Sequence, residues 1–114
     1  MAIQRIETGP RMSQVVVHDN RVYLAGIVAN KTAGESVTRQ TQEILSIIDG
    51  HLAKAGTDKS KLLTATIYIT DMKTFAEMNA VWDAKDHSAS AALVGFDLHF
   101  HTLGKATLTG VYGR

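Results

Sequence analysis

Between residues 38 and 55 the apolar side chains Ile44, Leu45, Ile47, Ile48 and Leu52 recur at helical spacings. From 62 to 70 the pattern turns into an alternating run rich in β-branched residues, with Thr64, Thr66, Ile67 and Ile69. A period near 3.6 followed at once by a period near 2 fixes a helix and then a strand, and nothing else in the chain narrows its fold as much. Gly56 is placed to stop the helix. Gly50, inside it, costs about 1 kcal/mol relative to Ala, so the helix is expected to pack closely there or to bend.

The other elements follow from the same signals. Ser13–His18 is a β-branched run that ends at Asp19-Asn20, a tight-turn pair, and residues 22–28 continue as a second strand, so the two form a hairpin. Gly9-Pro10 marks a turn before them, and residues 30–35 are a loop. Asp71 or Thr74 caps a second helix running to about residue 84, with Phe75, Met78, Val81 and Trp82 on its buried side. Residues 91–98 and 105–112 read as two last strands, joined as a hairpin. The order β-β-α-β-α-β-β describes one α+β domain: a mixed sheet with two helices on one face. Two helices leave the second face of such a sheet open. Val15, Val17, Leu24 and Ile67 on the strands then predict contact with another copy, hence a homo-oligomer.

Composition excludes several functions. The 114 residues make one domain, and 45% hydrophobic with 20% charged residues is a globular composition. No cysteine is present, so there is no disulfide, thiolate metal site or cysteine nucleophile. A net charge of +1 gives no case for nucleic acid or an anionic membrane as partner. No apolar run is long enough to span a bilayer and no signal-peptide pattern opens the chain, so the expected compartment is the cytoplasm.

Several runs together resemble one family. Arg11-Met12-Ser13-Gln14-Val15-Val16-Val17 with Val22-Tyr23-Leu24-Ala25-Gly26 resembles the opening hairpin of the Rid family (YjgF-like, reactive intermediate deaminases). Gln40-Thr41-Gln42-Glu43-Ile44-Leu45 with Leu52-Ala53-Lys54-Ala55-Gly56 resembles its first helix. The run from Leu62 through Ile67-Tyr68-Ile69-Thr70-Asp71-Met72, then Phe75 to Ala84, resembles its middle strand and second helix. The resemblance covers roughly residues 9 to 84. It implies a chorismate-mutase-like (YjgF/Rid-like) fold and a homotrimer with a cleft between each pair of neighbouring subunits. It also implies hydrolysis of enamines and imines, such as 2-iminobutanoate and 2-iminopropanoate, to ketoacids and ammonia.

The chain departs from the family where that chemistry resides. The family carries a carboxylate-anchoring arginine on its fifth strand and a glutamate on its sixth. An ungapped alignment from Asn79 onward places these on Ala91 and Ala106. A small residue that follows the arginine falls on Leu93, the glycine segment after the second strand reads Ala25-Gly26-Ile27, and a first-strand tyrosine corresponds to Met12. No arginine occurs between Arg39 and Arg114, so the anchor is missing in any register. A methyl group in place of a guanidinium removes bidentate carboxylate recognition, and loss of the glutamate removes the acid/base group. The expected cleft of Met12, Ala25, Gly26, Ile27, Ala91, Leu93 and Ala106 is apolar and bordered by histidine. It suits a scaffold or binding protein, diverged or redesigned, whose partners are its own copies and a small-molecule ligand. An alternative is residual deaminase activity using backbone amides near Gly26 and a bound water.

A second alternative lies in the segment 85–105, which holds His87, His99 and His101. Asp97, His99 and His101 are spaced i, i+2, i+4 and share one face if the strand continues. Imidazole and carboxylate ligate divalent metals such as zinc, and an open position on such a metal polarises water for hydrolysis. His87, Asp86 or a neighbouring subunit completes the set in that reading. If the segment turns instead, these are solvated polar residues. Lys85 and Lys105 read as exposed strand-end lysines, His18 as a turn residue and His51 as part of a solvated helix face. Tyr23, Tyr68 and Tyr112 read as sheet residues with hydroxyls at a rim. Some Rid-family proteins are described as ribonucleases or translation inhibitors, but no basic patch with interleaved aromatics supports that here.

Overall fold

A computed structural model describes residues 2–84, 93–98 and 106–114. Its strands are β1 (Gln4–Thr8), β2 (Ser13–His18), β3 (Arg21–Leu24), β4 (Ile27–Val28), β5 (Leu62–Ile69), β6 (Leu93–Leu98) and β7 (Ala106–Gly113). The helices are α1 (Val37–Lys54) and α2 (Phe75–Ala84), with short 3-10 turns at Lys59–Lys61 and Met72–Thr74. The sheet order is β1-β2-β3-β7-β5-β6, and β4 joins alongside β7. All pairs are antiparallel except β5 and β6, so the sheet is mixed, as expected.

The local signals act as the sequence requires. Asp19 and Asn20 both take left-handed φ, 53° and 60°, and His18 faces Arg21 across them, which is the turn that matches strand twist. Ser36 caps α1 by accepting a bond from the Arg39 amide at 3.2 Å. At the other end Gly56, φ +79°, lets the Thr57 amide reach the Leu52 carbonyl at 2.9 Å and its own amide reach Ala53 at 3.1 Å. Glu77 of α2 accepts from the Thr38 amide and hydroxyl at 2.9 and 2.8 Å, so one carboxylate both ties the helices together and sits at the positive end of α1.

Four expectations are corrected. Residues 91–98 and 105–112 do not form a hairpin. β6 lies parallel to β5, returned there by the α2 crossover, and β7 inserts on the other side of β5 between β5 and β3. Alternation identifies a strand but not its partner. The strand expected over 22–28 is two, because the chain leaves β2 at Ala25 and resumes along β7 at Ile27. An additional edge strand, β1, precedes the hairpin; only Ile6 of its five residues is turned inward, so it has no alternation to read. Finally, Gly50 is exposed and a Cβ there would meet nothing within 4 Å, so the glycine serves no close packing.

Both helices lie on one side of the sheet. Ile44, Leu45, Ile48 and Leu52 of α1 and Met78, Val81 and Trp82 of α2 share one core with Val15, Val22, Ile67, Ile69, Leu108 and Tyr112. Val15, Val17, Leu24 and Ile67 therefore belong to the helix-covered face and are at most 7% exposed. The uncovered face carries the alternate residues: Val16, Tyr23, Thr64, Thr66, Tyr68, Thr109 and Val111. The physical argument for an open face stands, with the opposite set of side chains on it.

Candidate functional site

The site is assembled where β3 gives way to β4. The Gln14 carbonyl accepts the Ala25 amide at 2.9 Å, the last link between β2 and this segment. At Gly26 the chain steps across to β7, where Ile27 faces Leu108 and Val28 faces Thr107. Thr109 secures the step from the other side, its hydroxyl donating to the Leu24 carbonyl at 2.7 Å. Ala106 is the next residue along β7, opposite Ile69 of β5. In that register Ala106 lies two residues of β7 beyond Leu108, the partner of Ile27, about 7 Å along the strand. Met12 lies in the turn before β2, where the Gly9 amide donates to its carbonyl at 2.7 Å, and its side chain is exposed. The Ile27 side chain is buried in the core, so this position offers its backbone rather than its side chain.

Leu93 is placed differently. It opens β6 opposite Thr64, whereas Ala106 is opposite Ile69. Five residues of β5 separate those levels, about 17 Å along the strand direction. Within one protomer the backbone does not bring Leu93 to Ala106. Ala91 lies outside the described residues, as do His87, His99 and His101; Asp97 is on β6, opposite Tyr68. The metal reading therefore falls largely outside what the structure describes, and no group of three potential metal ligands occurs among the described residues.

A polar feature that the sequence did not announce sits on the helix side of this segment. A concavity of about 220 Å³ is lined by Gln14, Gly26, Ile27, Val28 and Asn30 from the strands and by Ile47 and His51 from α1. His51 was expected to be solvated; it is half-buried, because α1 overhangs the place where β2 and β4 part. Burial lowers its pKa below the ordinary imidazole value, the nearby Lys54 adds to that, and Glu7 partly opposes it. Glu7 is itself held below the usual carboxylate range by its hydrogen bond and ion pair with Lys54. Glu7 has a left-handed φ of 56°, uncommon for a residue with a side chain. The loop above is fixed by Glu43, which accepts from the amides of Lys31 and Thr32 and from the Thr32 hydroxyl at 2.7 to 3.1 Å. Burial pushes the Glu43 pKa up, but these bonds outweigh it and hold it below the usual value.

Tyr112 also differs from expectation. Its ring is fully buried beside Gly110, and its hydroxyl has no hydrogen-bond partner among the described residues. Burial, reinforced by the Asp49 carboxylate, pushes the phenol far above its ordinary pKa. No hydrophobic pattern distinguishes a rim tyrosine from this one; Gly110, two residues before it on the same face, is the only sequence signal.

Comparison with known proteins places these features. A family model described as endoribonuclease L-PSP matches residues 2–94. A RutC family protein of Haemophilus influenzae is 46% identical over 83 residues, which is 73% of this chain and 72% of that protein. The RutC family protein YoaB of Escherichia coli is 43% identical over 84 residues, 74% and 72% of the two chains. The crystal structure of a YjgF family member from Neisseria meningitidis superposes with a TM-score of 0.88 at 32% identity, covering 100% of this chain and 96% of that one. Yeast Mmf1, at 18% identity and a TM-score of 0.84, shares the fold. No helix among the described residues is long and apolar enough to cross a membrane.

Proposed function

This chain belongs to the Rid (YjgF, RutC) family, and on that premise we propose that it is a homotrimeric binding protein whose intersubunit cleft has lost imine deaminase chemistry. The observation that carries the reading is the pairing of Ala106 with Ile69 on β7, at the glutamate position, in a chain without an arginine between Arg39 and Arg114. The cleft at that end offers the Gly26 backbone, Met12 and Ala106 but no guanidinium to orient a carboxylate and no carboxylate to move a proton. The separation of Leu93 from Ala106 within one protomer supports a cleft built from two subunits. The open face of Val16, Tyr23, Thr64, Thr66, Tyr68, Thr109 and Val111 supports burial against other copies. A ligand of such a cleft is uncharged and largely apolar.

Two measurements test this together. Native mass spectrometry gives a trimer; a monomer overturns the intersubunit cleft. Ammonia release from freshly generated 2-aminoacrylate stays at the uncatalysed rate for the native chain, and the double variant Ala91→Arg/Ala106→Glu raises it on the order of 10²-fold. Turnover by the native chain that survives Gly26→Pro and matches the double variant rejects the loss of the site.

A further inference from the structure

The β1–β2 hairpin is interrupted just below its tip. Its ladder pairs Ile6 with Val15 and Thr8 with Ser13 and passes over Glu7. Glu7 takes a left-handed φ of 56°, a conformation that a residue with a side chain holds only where its surroundings impose it. Ile6 is the inward residue of β1, so strict alternation would turn Glu7 away from the helices. The left-handed residue interrupts that alternation, and the Glu7 carboxylate meets the Lys54 ammonium of α1. Beyond this point the tip is braced within itself. The Gly9 amide donates to the Met12 carbonyl at 2.7 Å, and the Thr8 and Ser13 hydroxyls bond to each other at 3.0 Å. Residues 8–13 therefore form a stiff unit, with the skipped level at Glu7 as its hinge and the Lys54 contact at that hinge.

We propose that Glu7 and Lys54 form an electrostatic latch between β1 and α1 that sets the position of the hairpin tip, and with it of the exposed Met12. Resting on the reading of the cleft given above, the latch regulates that site, because Met12 borders it. Of the charged and titratable groups around Glu7, Lys54 and His51 come from α1, Arg5 from β1 and Arg11 from the tip; the β2 residue at its level is the uncharged Gln14. The hydrogen bond and charge of Lys54 hold the Glu7 carboxyl below the usual carboxylate range. The latch is therefore closed at neutral pH and opens as pH falls through the lowered value. Half-buried His51 takes its proton earlier in that descent and then attracts the same carboxylate. Both side chains of the pair are exposed, so salt weakens it as well. An exposed pair contributes too little to hold the whole fold, but a tip hinged at one skipped level opens locally at small cost.

The test is NMR of the isotope-labelled full chain. On acidification the Met12 methyl signal moves together with the Glu7 carboxyl carbon, below the ordinary carboxylate pKa, and in Lys54→Gln both midpoints return to the ordinary range. At neutral pH, Glu7→Gln and Lys54→Gln each speed exchange of the Gly9 amide with water roughly two- to fivefold. The amides of Ile44 and Ile48 in α1 keep their protection in both variants, which shows that the fold is intact. Raising the salt about tenfold speeds Gly9 exchange in the native chain and leaves it unchanged in Glu7→Gln. The charge-swapped double variant Glu7→Lys/Lys54→Glu restores native exchange. A Met12 methyl that titrates with His51 and not with Glu7, native Gly9 exchange in the single variants, or a swap no better than either single variant overturns the latch. A monomeric or deaminating chain overturns the function proposed above and leaves these readouts unchanged, so the two fail separately.

Discussion

The two faces of the sheet are made by alternate residues of the same strands, yet their chemistry differs. Under the helices stand Val15, Val17, Val22, Leu24, Ile67, Ile69, Leu108 and Tyr112, all 7% exposed or less. On the other side stand Val16, Tyr23, Thr64, Thr66, Tyr68, Thr109 and Val111, partly accessible in the protomer, with Tyr23 39% exposed. Burying an aliphatic side chain contributes roughly 1.5–3 kcal/mol, so the covered face stabilises the protomer by itself. The threonine-rich face keeps β-branched shape for the strands but leaves much of its area in water. It contributes little until something covers it. One face therefore sets whether the chain folds, and in the proposed trimer the other sets whether copies associate.

Variants on the two faces separate these roles. Ile48→Ala removes a fully buried side chain from the α1 contact and costs about 2–5 kcal/mol of unfolding free energy, measured by denaturant titration. If the proposed trimer forms through the open face, Thr66→Asp keeps the native far-ultraviolet spectrum while the native mass falls from trimer to monomer. If Thr66→Asp unfolds the chain, the open face is part of the protomer's own core and the comparison fails. If it leaves a trimer, association uses another surface.

The same division explains what was legible in the sequence. α1, β5 and α2 announce themselves because each buries one face and so carries a period: Ile44, Leu45, Ile48 and Leu52 in one, Ala65, Ile67 and Ile69 in another. The turn at Asp19-Asn20 and the helix stop at Gly56 were legible because each needs a left-handed residue. β1 was not, since an edge strand with one inward residue has no pattern. Which face of β2 meets the helices was not legible either: Val15-Val16-Val17 is apolar on both parities, and only the packing of α1 decides. The site was legible in part. Gly26 and Ala106 were marked by family resemblance, and the structure places Gly26 beside Ile27, opposite Leu108, and Ala106 two residues beyond Leu108 on β7. The partial burial of His51 arises from α1 crossing over the parting of β2 and β4, a tertiary event that no local spacing encodes.

Among the described residues Tyr112 carries a polar group at full depth on the covered face of the sheet, and Tyr112→Phe asks whether that face tolerates polarity. The hydroxyl gives up hydration without gaining a partner among the described residues, so its removal stabilises by about 1 kcal/mol and raises Tm by about 4 °C. The ring keeps its place over Gly110, where an added Cβ would come within 3.0 Å of the Thr64 carbonyl oxygen. Because burial and Asp49 both push the phenol's pKa up, the gain is the same at neutral and mildly alkaline pH. A loss of stability in Tyr112→Phe means that a bound water or the Asp49 carboxylate satisfies the hydroxyl.

The smallest effect comes from the covering helix, which repeats the comparison on its own two sides. α1 buries Ile44, Leu45, Ile48 and Leu52 and turns Gln42, Ser46 and Gly50 to solvent. On the solvent side packing decides nothing, so intrinsic propensity does. Gly50 has a helical backbone and open space where a Cβ would go. Gly50→Ala therefore stabilises by about 0.5–1 kcal/mol, chiefly by restricting the unfolded chain, with no change in mass or in the spectrum of the folded state. Calorimetry of the single variant and of Gly50→Ala combined with Ile48→Ala checks it. The gain is the same in both backgrounds if the exposed side of α1 is independent of its buried side. A gain that vanishes in the native chain but not in the Ile48→Ala background places this side of α1 in contact with another copy, and the division of labour between the two faces would then need a third surface.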